Sequence, residues 1–134
     1  MTELIETRLA TLERTSDDIV EVRFKPGVKL DPAGIMEVLR ERKRFCTPGG
    51  HHVLAVFPPE SDFEMGVMTT DHYLESGIRD CTRTLALAAN GAMNERMASL
   101  YFAYFPQPFD ARVFMEESEA RTWLLEAIES RPLN

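Results

Sequence analysis

Residues 53–57 (VLAVF) and residues 85–89 (LALAA) decide the fold, because each is a short apolar run without polar alternation. Runs of this kind are typical of strands covered on both faces, as in parallel sheets. Pro58 and Pro59 end the first run, and residues 61–76 then predict a helical region before the second. Two buried strands connected through a helix indicate parallel pairing in an α/β domain.

The residues before this pair predict an antiparallel edge. In residues 20–24 (VEVRF) apolar and charged side chains alternate, which indicates a half-buried strand. A weaker extended run over residues 5–12 precedes it, and residues 15–18 (TSDD) have turn chemistry, so we expect an opening hairpin. Asp31 as N-cap and a following proline then predict a helix that runs to about residue 45.

The downstream half repeats the strand-helix order. A helix is predicted over about 92–105, a short strand over 112–115 and a closing helix over about 117–130. The apolar stripe of the closing helix includes Trp123 and Leu124, and we expect Trp123→Ala to cost about 3 to 5 kcal/mol, as for buried residues. The pattern predicts a single α/β domain over residues 1–134, with a mixed five-stranded sheet, mostly parallel with an antiparallel N-terminal edge strand, and about four helices.

Composition and charge exclude several classes of function. The 134 residues contain 15 Lys plus Arg and 22 Asp plus Glu, a net charge of −7, which argues against nucleic acid as a partner. Residues 1–10 lack the basic and apolar pattern of a leader, and no run is long enough to insert into a membrane. Cys46 and Cys81 are far apart, so we predict no disulfide framework and a cytoplasmic protein.

The motifs of common catalytic and cofactor sites are missing. No glycine-rich turn follows a predicted strand, so we predict no phosphate loop. His51 and His52 are adjacent in a predicted strand and would point to opposite faces, which leaves no metal site and no cofactor. Cys81 between two arginines, or His72 with Asp71, could be reactive, but neither has an identifiable catalytic partner. We therefore predict that the protein is not an enzyme.

A cluster of aromatic residues lies at the end of the third predicted helix. Its members are the candidate interaction residues Tyr101, Phe102, Tyr104, Phe105 and Phe109. One helix face cannot bury all of them against a sheet, so apolar surface should remain. That surface could be a second layer of core, a homodimer or other protein interface, or the wall of a pocket for a small apolar ligand.

The element order and the last fifty residues resemble a known family. Residues 84–93 lead from strand to helix, and residues 111–114 (ARVF) precede an acidic helix start with Ala120, Trp123 and Leu124 in the pattern Ala-x-x-Trp-Leu. This arrangement resembles the SpoIIAA-like proteins, which belong with the STAS domains of anti-sigma-factor antagonists and a related group of lipid-binding proteins. The resemblance implies a SpoIIAA-like right-handed β/α superhelix with its helices largely on one side.

The phosphorylation site of true antagonists is only partly matched. Those proteins carry a phosphorylatable serine after an aspartate, in the pattern Asp-Ser-x-Gly, where this chain has Ser61 between Glu60 and Asp62. Ser61 is therefore a candidate phosphorylation site, although its acidic neighbours would repel a phosphate.

Two functions follow as expectations. The first is a non-enzymatic regulatory or protein-interaction module of the SpoIIAA-like class. The alternative is a small-molecule or lipid-binding domain with an apolar pocket beside the 92–105 helix.

Overall fold

Eight strands and four α-helices form the part of the chain that the computed structural model describes, residues 3–16 and 18–129. The strands are β1 (Leu4–Glu6), β2 (Ala10–Arg14), β3 (Ile19–Phe24), β4 (Lys29–Leu30), β5 (His51–Val56), β6 (Asp62–Phe63), β7 (Thr82–Ala88) and β8 (Asp110–Phe114). The helices are α1 (Pro32–Arg42), α2 (His72–Ser76), α3 (Ala92–Tyr104) and α4 (Glu117–Glu129). Asp17 in the predicted turn and Ser130 at the predicted end of the last helix lie outside the described residues.

The main sheet is mixed and has the order β1-β2-β3-β5-β7-β8. Strands β1, β2 and β3 pair antiparallel, whereas β3, β5, β7 and β8 pair parallel. The predicted α/β class, the antiparallel N-terminal edge and the number of helices are confirmed. The predicted count of five strands is wrong, because the run over 5–12 is two strands. The chain turns between them at Thr7, whose hydroxyl bonds to the backbone of Ala10.

The two faces of the sheet are covered by different helices. Val53, Ala55 and Leu87 belong to a core cluster that includes residues of α1 and α3. Their neighbours in sequence point the other way and pack against α4, for example Leu54 and Ala86. Burial on both faces explains why the two decisive runs show no alternation.

The region over 61–76 is not one helix, as the sequence suggested. Strand β6 pairs parallel with β4, a 3-10 helix follows at Met65–Met68, and only the last five residues form α2. The carboxylate of Asp71 accepts a hydrogen bond from the Leu74 backbone N–H and so starts α2 late. Gly77, with φ of 73°, then ends α2 in the left-handed conformation.

Cys46 and Cys81 form a disulfide, which corrects the prediction that the chain has none. The two residues are 35 positions apart in sequence, but they precede β5 and β7, which are parallel neighbours. The amino ends of parallel neighbours meet at one edge, so the Cα atoms lie 5.4 Å apart. Cys81 therefore offers no free thiol as a nucleophile. Disulfides are rare in reducing compartments, so the bond also removes the argument for a cytoplasmic location.

Helix α4 is attached through Ala120 and Leu124, which are fully buried. Trp123 is only partly buried. Its ring packs against Phe114 at 5.8 Å between centroids, and the guanidinium of Arg112 lies 5.4 Å from the ring centre. Trp123 packs against the core cluster under α4 but stays partly exposed, so the expectation of a buried residue is met only in part. None of the helices in the two described ranges is long and apolar enough to cross a membrane.

An ion-pair network also ties α4 to β3. Glu117 binds Arg23 at 2.8 Å and Arg121 at 2.8 Å, and Arg121 reaches the nearly buried carboxylate of Glu21 at 3.1 Å. Hydrogen bonds from Arg23 and Arg121 lower the pKa of Glu117 to about 2. These charged side chains therefore serve to hold α4 on the sheet.

Candidate ligand pocket

A cavity of about 110 Å³ lies at the carboxyl ends of the central parallel strands. Phe24 ends β3, Phe57 follows β5, Leu87 is near the end of β7, and all three line the cavity. Helices α1 and α3 contribute two walls, and the segment from residue 57 to residue 73 contributes the remaining wall. The carboxyl ends of parallel strands are the usual place for ligands in open α/β sheets.

The walls of this pocket are mostly apolar. Aliphatic, aromatic and methionine side chains from every surrounding element contribute: Phe24, Leu30, Ile35, Val38, Leu39, Ala55, Phe57, Phe63, Val67, Met68, Leu87, Met97, Ala98 and Phe102. Pockets for small molecules typically combine such walls with a few polar groups.

Two of the polar residues at the pocket are occupied by structural bonds. The Asn94 amide donates to the backbone carbonyls of Pro58 at 2.9 Å and Ala89 at 3.0 Å, which ties α3 to the strand ends. The Tyr101 hydroxyl donates to the Thr70 carbonyl at 2.8 Å and accepts from the His72 backbone N–H at 3.0 Å. Burial raises the pKa of Tyr101. Neither group is available to a ligand without loss of these bonds.

Two other polar atoms at the pocket have no hydrogen-bond partner. They are Oγ of Ser61 and Nδ1 of His72, and both atoms are buried. The His72 residue as a whole is 1% exposed. Its other ring nitrogen, Nε2, lies 3.0 Å from the Val67 carbonyl oxygen, so the ring is held in place. Buried polar atoms without partners are rare in proteins, and each one calls for an explanation.

A second polar cluster lies at the opposite, amino end of β5 and β7. The buried guanidinium of Arg42 contacts His51 Nε2 at 3.0 Å and donates to the Thr82 hydroxyl at 3.0 Å. Burial, followed by the charge of Arg42, lowers the pKa of His51 to about 3. Nδ1 of His51 is also buried without a hydrogen-bond partner. The cluster lies next to the disulfide, because Thr82 follows Cys81 in the chain, and we assign it a structural role.

Comparison with known proteins gives one match. A family model described as a domain of unknown function (DUF7793) matches residues 13–128. The chain belongs to this family. No curated protein and no solved structure matches it. The matched range includes every residue that lines the pocket.

In this DUF7793 chain the structure separates the predicted aromatic cluster. Tyr101 and Phe102 line the pocket, whereas Phe109 packs against the ring of Tyr73 at 5.6 Å. Phe105 contacts Tyr101 at 5.2 Å and is partly exposed. Tyr104 is 70% exposed and lies outside the pocket. The cluster is therefore part pocket, part core and part surface.

The other candidate residues also have defined places. Asp71 does not act on His72 but binds Arg79 at 2.8 Å and the Gln107 amide at 3.1 Å. His51 and His52 are both buried within β5. Within residues 3–16 and 18–129, no group of three or more His, Cys, Asp or Glu side chains could hold a metal ion.

Sequence reasoning missed the pocket walls from α1 and from the 57–73 segment. Side chains such as Val38 and Phe63 look like ordinary core residues in a pattern, because a pattern does not show the space between elements. One signal was available: residues 57–68 contain two phenylalanines and two methionines in a stretch rich in turns. Such a segment has more apolar surface than its short elements can bury on their own.

Proposed function

We propose that this DUF7793 domain binds a small, largely apolar molecule in the pocket beside α3. The cavity of about 110 Å³ carries the proposal. Protein cores rarely leave voids larger than a water molecule. At about 24 cal/mol per Å³, a fully enclosed void of this size would cost about 2–3 kcal/mol of stability, and a pocket partly open to solvent costs less. The protein keeps this open space although filling it would raise the free energy of unfolding, and this supports its use as a binding site.

The volume limits the size of the ligand. A cavity of about 150 Å³ with aliphatic and aromatic walls takes up benzene in another protein. A space of about 110 Å³ therefore suits a single ring or a short branched chain. A lipid with long acyl chains would need the pocket to open, so a small molecule is favoured over a lipid.

Isothermal titration calorimetry with toluene tests the proposal. Ala98 lines the pocket and Ala103 is exposed on the same helix, so Ala98→Leu and Ala103→Leu make the same chemical change inside and outside the pocket. We expect toluene to bind the wild type and Ala103→Leu but not Ala98→Leu. Equal binding by all three proteins would place the probe elsewhere and contradict the proposal. Native mass spectrometry of the purified protein would show whether a molecule that dissociates on denaturation co-purifies.

A specific observation also favours the regulatory or protein-interaction module. Met93, Leu100 and Tyr104 lie on one face of α3 and are 63%, 43% and 70% exposed. Exposed apolar stripes of this kind mark interaction surfaces. Tyr104→Glu should shift a wild-type homodimer toward monomer in analytical ultracentrifugation. A wild-type protein that is monomeric at all concentrations would contradict self-association.

The remaining expectations stay predictions. A SpoIIAA-like right-handed superhelix is supported by the packing of α1 and α3 on the same face of the sheet. Phosphorylation of Ser61 would require its hydroxyl, now buried at the pocket, to become exposed. The cytoplasmic location and the absence of catalysis are also predictions, and the disulfide weighs against the first.

A further inference from the structure

The two unpartnered atoms at the pocket are not explained by an apolar ligand. We propose that the pocket selects neutral ligands that carry a hydrogen-bond donor, such as a hydroxyl, and that Nδ1 of His72 accepts this hydrogen bond. The inference rests on the proposed function and adds the chemical class of the ligand.

The neighbours of His72 determine what Nδ1 can do. The Val67 carbonyl oxygen can only accept, so Nε2, which lies 3.0 Å from it, must carry the proton. In the neutral ring, Nδ1 is then left with a lone pair and acts as an acceptor. The ring is also stacked on Tyr101, with 6.0 Å between centroids and 11° between planes. A fixed, buried acceptor beside an apolar space is the complement of a ligand donor.

Ser61 adds a second polar group to the pocket, but it does not determine whether the ligand must donate or accept a hydrogen bond. Its hydroxyl can donate or accept, and Oγ is buried without a partner at the same cavity as His72. A ligand hydroxyl can satisfy either group, because a hydroxyl is both a donor and an acceptor.

The lining of the pocket disfavours ionic ligands. Among the described residues that line it there is no Asp, Glu, Lys or Arg. An anionic or cationic ligand would therefore lose its hydration with no opposite charge to replace it, which is strongly unfavourable. The fitting class is a neutral molecule with an apolar body of about one ring and one hydroxyl or N–H donor.

Phenol and toluene test this selection, because they have the same number of heavy atoms and differ in the donor. Dissociation constants are measured for both probes with the wild type, His72→Phe and the control Ala103→Leu, which lies outside the pocket. Phenylalanine keeps the bulk and the stacking of the ring but removes the acceptor. We expect His72→Phe to weaken phenol on the order of tenfold while toluene binds as well or better. Benzoate, which is anionic at neutral pH, should bind on the order of a hundredfold more weakly than phenol.

A second measurement needs no substitution and covers the case in which His72→Phe does not fold. In protein labelled with ¹⁵N-histidine, phenol should shift the Nδ1 resonance of His72 and toluene should leave it nearly unchanged. If neither probe binds, the proposed function itself fails. Two outcomes would leave the pocket in place but overturn the donor selection. One is that both probes bind and shift the Nδ1 resonance equally; the other is that His72→Phe leaves the ratio of the phenol and toluene dissociation constants unchanged. Binding of benzoate as tight as that of phenol would also overturn it.

Discussion

Filling the pocket from α3 should stabilise the protein, which is the reverse of the usual effect of a core substitution. Ala98 lines the cavity of about 110 Å³, and Ala98→Leu places three more carbons there. Burial of each carbon contributes about 0.8 kcal/mol, or about 2.4 kcal/mol for the three. For a fully enclosed void, about 24 cal/mol per Å³ gives an upper figure of about 2.6 kcal/mol. Subtraction of about 0.5–1 kcal/mol for the side-chain entropy of leucine leaves a gain of about 1–2 kcal/mol.

Urea unfolding followed by circular dichroism measures this gain. A rise of about 1–2 kcal/mol in the free energy of unfolding corresponds to roughly 4–8 °C in Tm for a domain of this size. Ala103→Leu is the control. It adds the same carbons to an exposed position, so its stability should stay within about 0.5 kcal/mol of the wild type.

A loss of stability in Ala98→Leu would refute the reasoning. Extra carbons forced into a filled core typically cost about 1–3 kcal/mol, and a loss of that size would mean that no open space faces α3. A gain in stability together with a loss of toluene binding would instead show that the empty space is kept for a ligand at the expense of stability.

Three further predictions test the core. Burial and the charge of Arg42 lower the pKa of His51 from 6.5 to about 3, so below pH 6.5 the unfolded chain takes up a proton that the folded chain does not. The free energy of unfolding, measured by urea titration, should therefore fall by about 2 kcal/mol between pH 7 and pH 5 because of His51. In His51→Asn this contribution should be missing, and a variant with the same pH dependence as the wild type would contradict the prediction. Replacement of both Cys46 and Cys81 by serine should cost about 3–4 kcal/mol, because the bond closes a loop of 35 residues; a wild-type Tm that does not respond to reductant would show that the bond is absent. Leu124→Ala should cost about 2–5 kcal/mol and more than Trp123→Ala, since Leu124 is 1% exposed and Trp123 is only partly buried; the opposite order would refute this placement.

The sequence predicted the elements whose residues follow a period or a clear cap. The runs at 53–57 and 85–89 became central strands, and the Asp31 carboxylate caps α1 by accepting a hydrogen bond from the Gly34 backbone N–H. The region over 61–76 was misread, because its apolar residues resemble a helical face. Its pairing with β4 depends on a partner that is 33 residues away in the first register pair, Lys29 with Asp62. Strand pairing at such distance leaves no local pattern.

The pocket was predictable only in part. The surplus of aromatic residues near Tyr101 indicated extra apolar surface beside α3, and Tyr101 and Phe102 do line the pocket. The acceptor on His72 could not be foreseen, because its character depends on the Val67 carbonyl and on the absence of a partner for Nδ1 among the described residues. Both depend on where a short helix lies on the sheet, and periodicity does not encode that position.

The most direct test of the central claim is methyl NMR of the protein labelled with ¹³C-methyl methionine and titrated with toluene. Met68 and Met97 line the pocket, whereas Met65 and Met93 are 80% and 63% exposed and serve as controls in the same spectrum. A bound aromatic ring should shift the first two methyl signals saturably and leave the second two in place. Shifts of equal size at all four methyl groups, or no shift at Met68 and Met97, would contradict a ligand-binding pocket beside α3.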